Sequence, residues 1–122
     1  MSWNRLPLVF ALCHLCLSQA YAQEVKCPSY HGNIPLGYVG VYDGPPEGPA
    51  GLMTDFSRGT GDHEYGYTIV GNIFDAGHDL YLVCIYGEWN SKDTLTVKAD
   101  KRVNRCYYRK HPKGQPLGFV CK

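Results

Sequence analysis

The chain of 122 residues carries 12 Lys and Arg against 11 Asp and Glu, and 44% of its residues are hydrophobic. A length of this order accommodates one domain, and the near-neutral charge argues against a nucleic-acid-binding protein, which is usually strongly basic. Its longest apolar run is shorter than the roughly twenty residues that a membrane-spanning helix needs, so we expect no membrane anchor.

Residues 1–22 have the three-part order of a secretory signal peptide. Arg5 gives the cationic start, an apolar run occupies residues 6–17, and Ala20-Tyr21-Ala22 gives the small-residue exit. We therefore expect export through the Sec pathway into an oxidising compartment, cleavage after Ala22, and a mature domain of residues 23–122.

Glycine and proline divide the mature chain into short segments rich in aromatic and β-branched residues. This pattern predicts an all-β fold, a small antiparallel sheet closed into a barrel or packed as a sandwich. Residues 80–86 are apolar on both faces, which predicts a central strand. The predicted strands cover residues 36–42, 65–70, 80–86, 94–98 and 117–121.

Alternation along these strands predicts which side chains face the core. In the first strand we expect Leu36 to share a face with Tyr38, and in residues 94–98 we expect Leu95 and Val97 to face inward. No segment has a convincing helical pattern, although a short helical turn is compatible with residues 103–107.

Residues 43–64 form a segment rich in glycine and proline without periodicity. A loop longer than about 12 to 15 residues is unusual in a small domain and is often functional. The alternative is that its beginning, Asp43-Gly44-Pro45-Pro46, is a structural turn and the rest a solvated connector.

Removal of the signal peptide leaves four cysteines, at separations of 57, 22 and 15 positions: Cys27, Cys84, Cys106 and Cys121. An even number in an exported chain predicts two disulfides, whereas a zinc site usually takes close C-x-x-C pairs. Three pairings are open. We favour Cys27 with Cys84, and Cys106 with Cys121, because the second pair brackets a turn of glycine and proline.

Charge is unevenly distributed along the mature chain. Residues 23–93 contain ten acidic residues against Lys26, Arg58 and Lys92, while residues 94–122 contain eight basic residues against Asp100. Such separation suits the steering of a charged partner. The alternative is that the acidic and basic parts lie against each other in the fold.

The sequence lacks a recognisable catalytic or metal-binding motif. Asp62, His63 and Glu64 adjoin one another, but their spacing matches no zinc-binding pattern, and no serine has the context of a hydrolase nucleophile. We therefore expect no catalytic residues, no metal and no cofactor. A small secreted domain of this kind acts by surface contact, for which Tyr and Trp are favoured anchors.

Two sequence features resemble a family of small exported proteobacterial proteins. They are a Tyr-Asp-Gly-Pro-Pro-Glu turn at residues 42–47 and a Val-Cys-Ile-Tyr strand at residues 83–86, preceded by Cys27-Pro28. The resemblance implies an exported, disulfide-bonded β-domain. In size, export signal and cysteine content the chain is also similar to the periplasmic immunity proteins of type VI secretion systems.

These observations predict an immunity protein that binds and inhibits a secreted effector such as a peptidoglycan hydrolase. The alternative is an envelope module that recognises a glycan or a structural protein. A homodimer is compatible with either prediction, and we expect no nucleic-acid partner. We take the residues most suited to contact a partner from the long loop and the 87–93 loop: Asp43, Glu47, Asp55, Phe56, Asp62, Glu64 and Trp89.

Overall fold

A computed structural model of the chain describes residues 24–47, 51–52 and 54–122. The predicted signal peptide and Gln23 lie outside these described residues. The described part folds into two antiparallel sheets of four strands each, so the prediction of an all-β fold is confirmed.

The first sheet has the strand order β1-β2-β5-β6. Its strands are β1 (Tyr30–His31), β2 (Ile34–Asp43), β5 (Leu80–Tyr86) and β6 (Thr94–Lys98). The prediction of a central strand is confirmed, because β5 pairs with β2 on one side and with β6 on the other. Its buried side chains, which alternate with half-buried ones, are Leu80, Leu82, Cys84 and Tyr86.

The second sheet has the order β3-β4-β7-β8. Its strands are β3 (Phe56–Arg58), β4 (Tyr65–Ile69), β7 (Arg105–Arg109) and β8 (Gly118–Cys121). A helix of five residues, α1 (Gly71–Asp75), connects β4 to β5 and buries Ile73 in the core. The core is one cluster that contains side chains from both sheets and from α1.

Both favoured disulfide pairings are confirmed. Cys27 is bonded to Cys84, which fastens the segment before β1 to the central strand β5. Cys106 is bonded to Cys121, directly across the β7–β8 pair in the ladder register. All four cysteines are buried, so each bridge is part of the core as well as a covalent link.

Three sequence interpretations of local structure are wrong. Residues 43–64 are not one irregular loop, because they contain β3 and a short 3-10 helix, Gly61–His63. Residues 103–107 do not form a helical turn, because β7 begins at Arg105 and pairs with both β4 and β8. The helix α1 was not expected.

The face assignment of β2 is also wrong at Leu36. The register with β5 shifts between Leu36 and Tyr38, and the extra residue of such a bulge changes the face of everything on one side of it. Leu36 is therefore buried while Tyr38 is 39% exposed. Gly37 occupies the shift, where a Cβ atom would collide with the carbonyl oxygen of Gly87.

The prediction that Leu95 and Val97 of β6 face inward agrees with the strand register but only partly with the burial of the two side chains. Leu95 lies opposite the buried Cys84, and Val97 lies opposite the buried Leu82. Val97 packs against the core, whereas Leu95 remains 38% exposed. An inward position on β6, which is an edge strand of its sheet, is therefore not sufficient to bury a side chain.

Tyr86 closes the core of the first sheet with a polar contact. Its ring is buried, and its hydroxyl donates a hydrogen bond of 2.9 Å to the carbonyl oxygen of Pro28. Burial, helped by the carboxylate of Asp93, raises the pKa of Tyr86 above its ordinary value of 10.0. The folded protein therefore holds this proton at a pH where the unfolded chain has begun to release it.

We expect the stabilisation by the Tyr86 hydroxyl to be complete below about pH 10 and to be lost as the pH rises through the higher pKa of the folded state. At neutral pH, Tyr86→Phe should lower the free energy of unfolding by about 1 kcal/mol, since the hydrogen bond to Pro28 is lost. Urea titrations of both proteins should show this difference shrinking above pH 10. A difference that is constant with pH would contradict the assigned contact.

Candidate functional site

Two adjoining grooves open between the two sheets, and we call them together the inter-sheet cleft. The larger has a volume of about 650 Å³ and the smaller of about 350 Å³. Both grooves are lined by Gly37 and Tyr38 from β2 and by Lys110 and Leu117 from the segment between β7 and β8. A backbone hydrogen bond of 2.7 Å from the Leu117 amide to the Leu36 carbonyl holds that segment against β2.

Trp89 projects at the edge of the inter-sheet cleft. It lies in the loop between β5 and β6 and is 69% exposed. Its ring meets the ring of Tyr38 edge-on, with 5.4 Å between the centroids and 77° between the planes. This is a favoured geometry for an aromatic pair, so Tyr38 fixes the position of a large apolar group that remains available to a partner.

The lining of the cleft contains an ion pair. Glu64 and Lys110 approach to 2.7 Å, and the Lys110 amide also donates to the Glu64 carbonyl oxygen at 2.8 Å. The hydrogen bond that the Lys110 ammonium donates to the Glu64 carboxylate raises the pKa of Lys110 above its ordinary value. Glu64 is therefore engaged within the fold, while Asp62 and Glu88 are exposed acidic groups on the lining of the larger groove.

The structure does not bring all seven candidate contact residues together. Asp62, Glu64 and Trp89 line the inter-sheet cleft. Asp43 ends β2 and pairs with His78 at 2.9 Å, and Glu47 is exposed in the turn that follows β2.

The other two candidates belong to the second sheet. The carboxylate of Asp55 accepts a hydrogen bond of 2.6 Å from the amide of Ile69, beside the end of β4. Phe56 stacks on Tyr67 with 5.2 Å between the ring centroids. Asp55 and Phe56 thus help to attach β3 to its neighbour.

Tyr38, Lys110 and Glu88 belong to the site but were not singled out from the sequence. The bulge at Gly37 was not predicted, so the outward direction of Tyr38 was not predicted either. Lys110 lies in the cleft because of the path of the long turn before β8. Glu88 stands next to Trp89 in an ordinary loop. Only that adjacency was a signal in the sequence.

Part of the charge separation is neutralised inside the fold. Asp75 pairs with Arg102 at 2.5 Å, and Asp79 pairs with Lys98 at 3.6 Å. The hydrogen bond from Arg102 lowers the pKa of Asp75 below its ordinary value. The Glu64–Lys110 pair is a third link of this kind, so the interpretation that the acidic and basic parts of the chain meet is correct for these pairs.

Among the described residues, no group of three or more His, Cys, Asp or Glu side chains is arranged to hold a metal ion. Within the same part of the chain, no helix is both long and apolar enough to cross a membrane.

The fold defines the chain as a small β-sheet protein held by two buried disulfides, which are compatible with a secreted protein. Comparison with family models, curated proteins and solved structures finds no match. The resemblances named above therefore stay predictions.

Proposed function

We propose that the protein is a periplasmic immunity protein, which binds a toxic secreted effector at the inter-sheet cleft and inhibits it. A peptidoglycan hydrolase delivered by a type VI secretion system is the effector class that we propose. The observation that carries the proposal is the exposed Trp89 held edge-on by Tyr38 at the edge of a cleft.

An exposed tryptophan fixed in one position is a strong anchor for a protein partner. Its large apolar surface is removed from water when the partner binds, and little side-chain entropy is lost because Tyr38 already restrains the ring. The exposed carboxylates of Asp62 and Glu88 line the adjoining groove and would meet basic groups of the effector. Rim charges of this kind mainly raise the rate of association.

The compartment is part of the same proposal. Buried disulfides form and persist where thiols are oxidised, and the periplasm of a Gram-negative bacterium is such a compartment. The signal peptide predicted for residues 1–22 would deliver the chain there through the Sec pathway. An immunity protein located there meets effectors that attack peptidoglycan.

We expect Trp89→Ala to weaken binding to the effector by about 30-fold, which corresponds to about 2 kcal/mol for a buried aromatic anchor. The effect should persist at high salt, because the contact is apolar. The measurement is calorimetric titration of the mature protein with the purified product of the gene immediately upstream, together with survival of cells that express that product in their periplasm.

Tyr30→Ala is the matched control, since Tyr30 is a 52% exposed aromatic residue on β1 that does not line the cleft. It should bind and protect like the unaltered protein. Equal binding by Trp89→Ala would exclude the cleft as the contact surface. Failure of the unaltered protein to bind the neighbouring gene product, or to protect cells, would refute the immunity proposal.

A second function is favoured by the same aromatic pair. Tryptophan and tyrosine rings beside a groove of about 650 Å³ also suit a glycan, so an envelope-binding module is the alternative. Calorimetric titration with soluble peptidoglycan fragments, in the absence of any effector, distinguishes the two functions. Saturable binding that Trp89→Ala abolishes would support the module.

A further inference from the structure

The outward face of the second sheet combines arginine and tyrosine. Cys106 on β7 and Thr68 on β4 are buried, and alternation along a strand therefore turns their neighbours to the opposite face. The outward residues of β7 are Arg105, Tyr107 and Arg109, and those of β4 are Tyr65, Tyr67 and Ile69. We call this surface, with Phe56 and Arg58 of β3, the arginine–tyrosine face.

The register of β4 with β7 places an arginine opposite each end of the β4 strand. Tyr65 lies opposite Arg109, and Ile69 lies opposite Arg105. The Arg109 guanidinium lies 4.9 Å from the centroid of the Tyr65 ring, and the Arg105 guanidinium lies 4.5 Å from that of Tyr67. These are cation–π distances, so the tyrosine rings restrain both guanidinium groups.

The same pattern extends to both edges of the sheet. On β3 the Arg58 guanidinium lies 5.6 Å from the centroid of the Phe56 ring, and Phe56 stacks on Tyr67. Beyond β8 the Lys122 ammonium lies 5.2 Å from the centroid of the Tyr107 ring. Four cations thus cross the whole width of the sheet, separated by aromatic rings.

These four cations have no carboxylate partner among the described residues. The five ion pairs of the described chain involve His31, His78, Lys98, Arg102 and Lys110. The outward positions of β3, β4, β7 and β8 contain no Asp or Glu. The face is open to solvent, with Tyr65 36% and Ile69 46% exposed. Its charge is therefore available to an anionic partner.

The ring arrangement argues against stacking ligands. Phe56 and Tyr67 are nearly parallel, 18° apart, so each covers a face of the other, and the Arg105 guanidinium also lies against Tyr67. Bases and sugar rings need a free aromatic face to stack on. The Phe56–Tyr67 pair therefore offers a ligand mainly its ring edges, which carry the positive end of the aromatic quadrupole, beside the guanidinium groups of the face.

We propose that the arginine–tyrosine face is a docking surface for an acidic protein. Guanidinium groups bind carboxylates through two parallel hydrogen bonds, and Arg and Tyr are the residue types enriched in protein hot spots. Charge complementarity selects a partner that presents several Asp or Glu side chains on a flat surface. This surface is separate from the inter-sheet cleft and goes beyond the effector contact proposed there.

The test uses a fluorescently labelled polyglutamate peptide as the probe, titrated against the disulfide-bonded mature protein and followed by anisotropy. Polygalacturonate represents an acidic glycan, and oligothymidylate represents a single-stranded nucleic acid. The key variant combines Arg58→Gln, Arg105→Gln and Arg109→Gln. The matched control combines Lys92→Gln, Lys98→Gln and Lys113→Gln, which removes the same charge from exposed positions off this face.

We expect polyglutamate to bind more tightly than the other two probes and to weaken as salt is raised. The arginine variant should lose about tenfold in affinity or more, while the lysine control stays within about twofold. If circular dichroism shows the triple variant misfolded, the double variant Arg58→Gln and Arg109→Gln, which keeps the Arg105–Tyr67 contact, should still lose more than the control.

Three results would overturn the proposal. Tighter binding of polygalacturonate or oligothymidylate would assign the face to a glycan or to nucleic acid. An equal loss in the lysine control would mean that the probe senses only net charge. Unchanged binding by the arginine variants would remove the face from the contact. Trp89→Ala should leave polyglutamate binding unaltered, so failure here and failure of the effector contact are separable.

Discussion

Replacing Cys27 and Cys84 together with alanine should lower the free energy of unfolding by about 4 kcal/mol. A cross-link restricts the unfolded chain in proportion to the logarithm of the loop it closes, and this bridge spans 57 positions against 15 for Cys106–Cys121. The same argument gives about 3 kcal/mol for the double alanine variant of the second bridge. Removal of the bridge that closes the longer loop should therefore lower the free energy of unfolding by the larger amount.

The measurement is guanidinium unfolding of the unaltered protein and of both double variants, followed by circular dichroism. Each variant keeps the other bridge and so controls for the general effect of removing buried sulfur. A domain of this size has a total stability of only about 5 to 15 kcal/mol. A negligible cost for the Cys27–Cys84 pair, or the reverse order of the two costs, would contradict the loop-entropy account.

The strands that carry the hydrophobic core could be predicted from the sequence. Residues 80–86 are apolar on both faces, residues 94–98 alternate, and residues 117–121 follow a turn of glycine and proline, so packing against the core and local preference agree there. The two disulfides followed from the even number of cysteines and from a turn between the last pair. The strands require only a short stretch of sequence to be recognised, and the disulfides require only the number and spacing of the cysteines.

The elements that were missed are short or interrupted. The strand β3 has three residues and α1 has five, so neither shows a full period of alternation or of helical spacing. The N-cap position of α1 makes no side-chain hydrogen bond, which removes the usual start signal. In β2, one extra residue at the Leu36–Tyr38 shift exchanges the two faces of the strand. A bulge means that one strand has more residues than its partner over the same length, and the sequence does not show which residues of β5 lie opposite.

The arginine–tyrosine face could have been predicted from the position of Cys106 in the sequence. A disulfide places Cys106 in the core, and strand alternation then requires Arg105, Tyr107 and Arg109 to face outward together. Among the strand tyrosines, Tyr86 is buried in the core, whereas Tyr67 lies on this outer face. The small residues that alternate with the tyrosines along these strands are buried on the inner side of the sheet, and this turns the tyrosine rings outward.

The site at the inter-sheet cleft was less predictable than the strands. Trp89 was identified because it is an aromatic residue of a predicted loop and tryptophan is a favoured interface anchor, but its support by Tyr38 depends on the bulge in β2. The acidic candidates divide among the end of β2, the second sheet and the cleft, because residues 43–64 run from β2 through β3 to β4. Contacts between segments distant in sequence decide this division, and local pattern carries no information about them.

Gly66 determines how closely β3 approaches β4. Its backbone is buried on the inner side of the second sheet, beneath the arginine–tyrosine face. A Cβ atom built there would lie well under 3.0 Å from the carbonyl oxygen of Phe56 and also within 3.0 Å of the Tyr108 ring. Because a carbonyl oxygen of a paired strand cannot rotate away, only displacement of β3 relieves this contact.

We expect Gly66→Ala to lower the free energy of unfolding by about 2 to 3 kcal/mol, the upper part of the range for overpacking a core. The matched control is Gly118→Ala in the same sheet, where the nearest atoms to an added Cβ, the Arg109 carbonyl oxygen and the His111 ring, lie at 3.3 Å. Small shifts relieve contacts of that length, so the control should lose about 1 kcal/mol or less.

Displacement of β3 should also separate Phe56 from Tyr67 and carry Arg58 away from the arginine–tyrosine face. Hydrogen exchange of the β3–β4 amides should accelerate in Gly66→Ala and stay unaltered in Gly118→Ala, because opening of the edge strand exposes those amides. Polyglutamate binding should weaken in Gly66→Ala for the same reason. If the two alanine variants unfold at the same denaturant concentration, β3 does not pack against Gly66 as closely as the register requires.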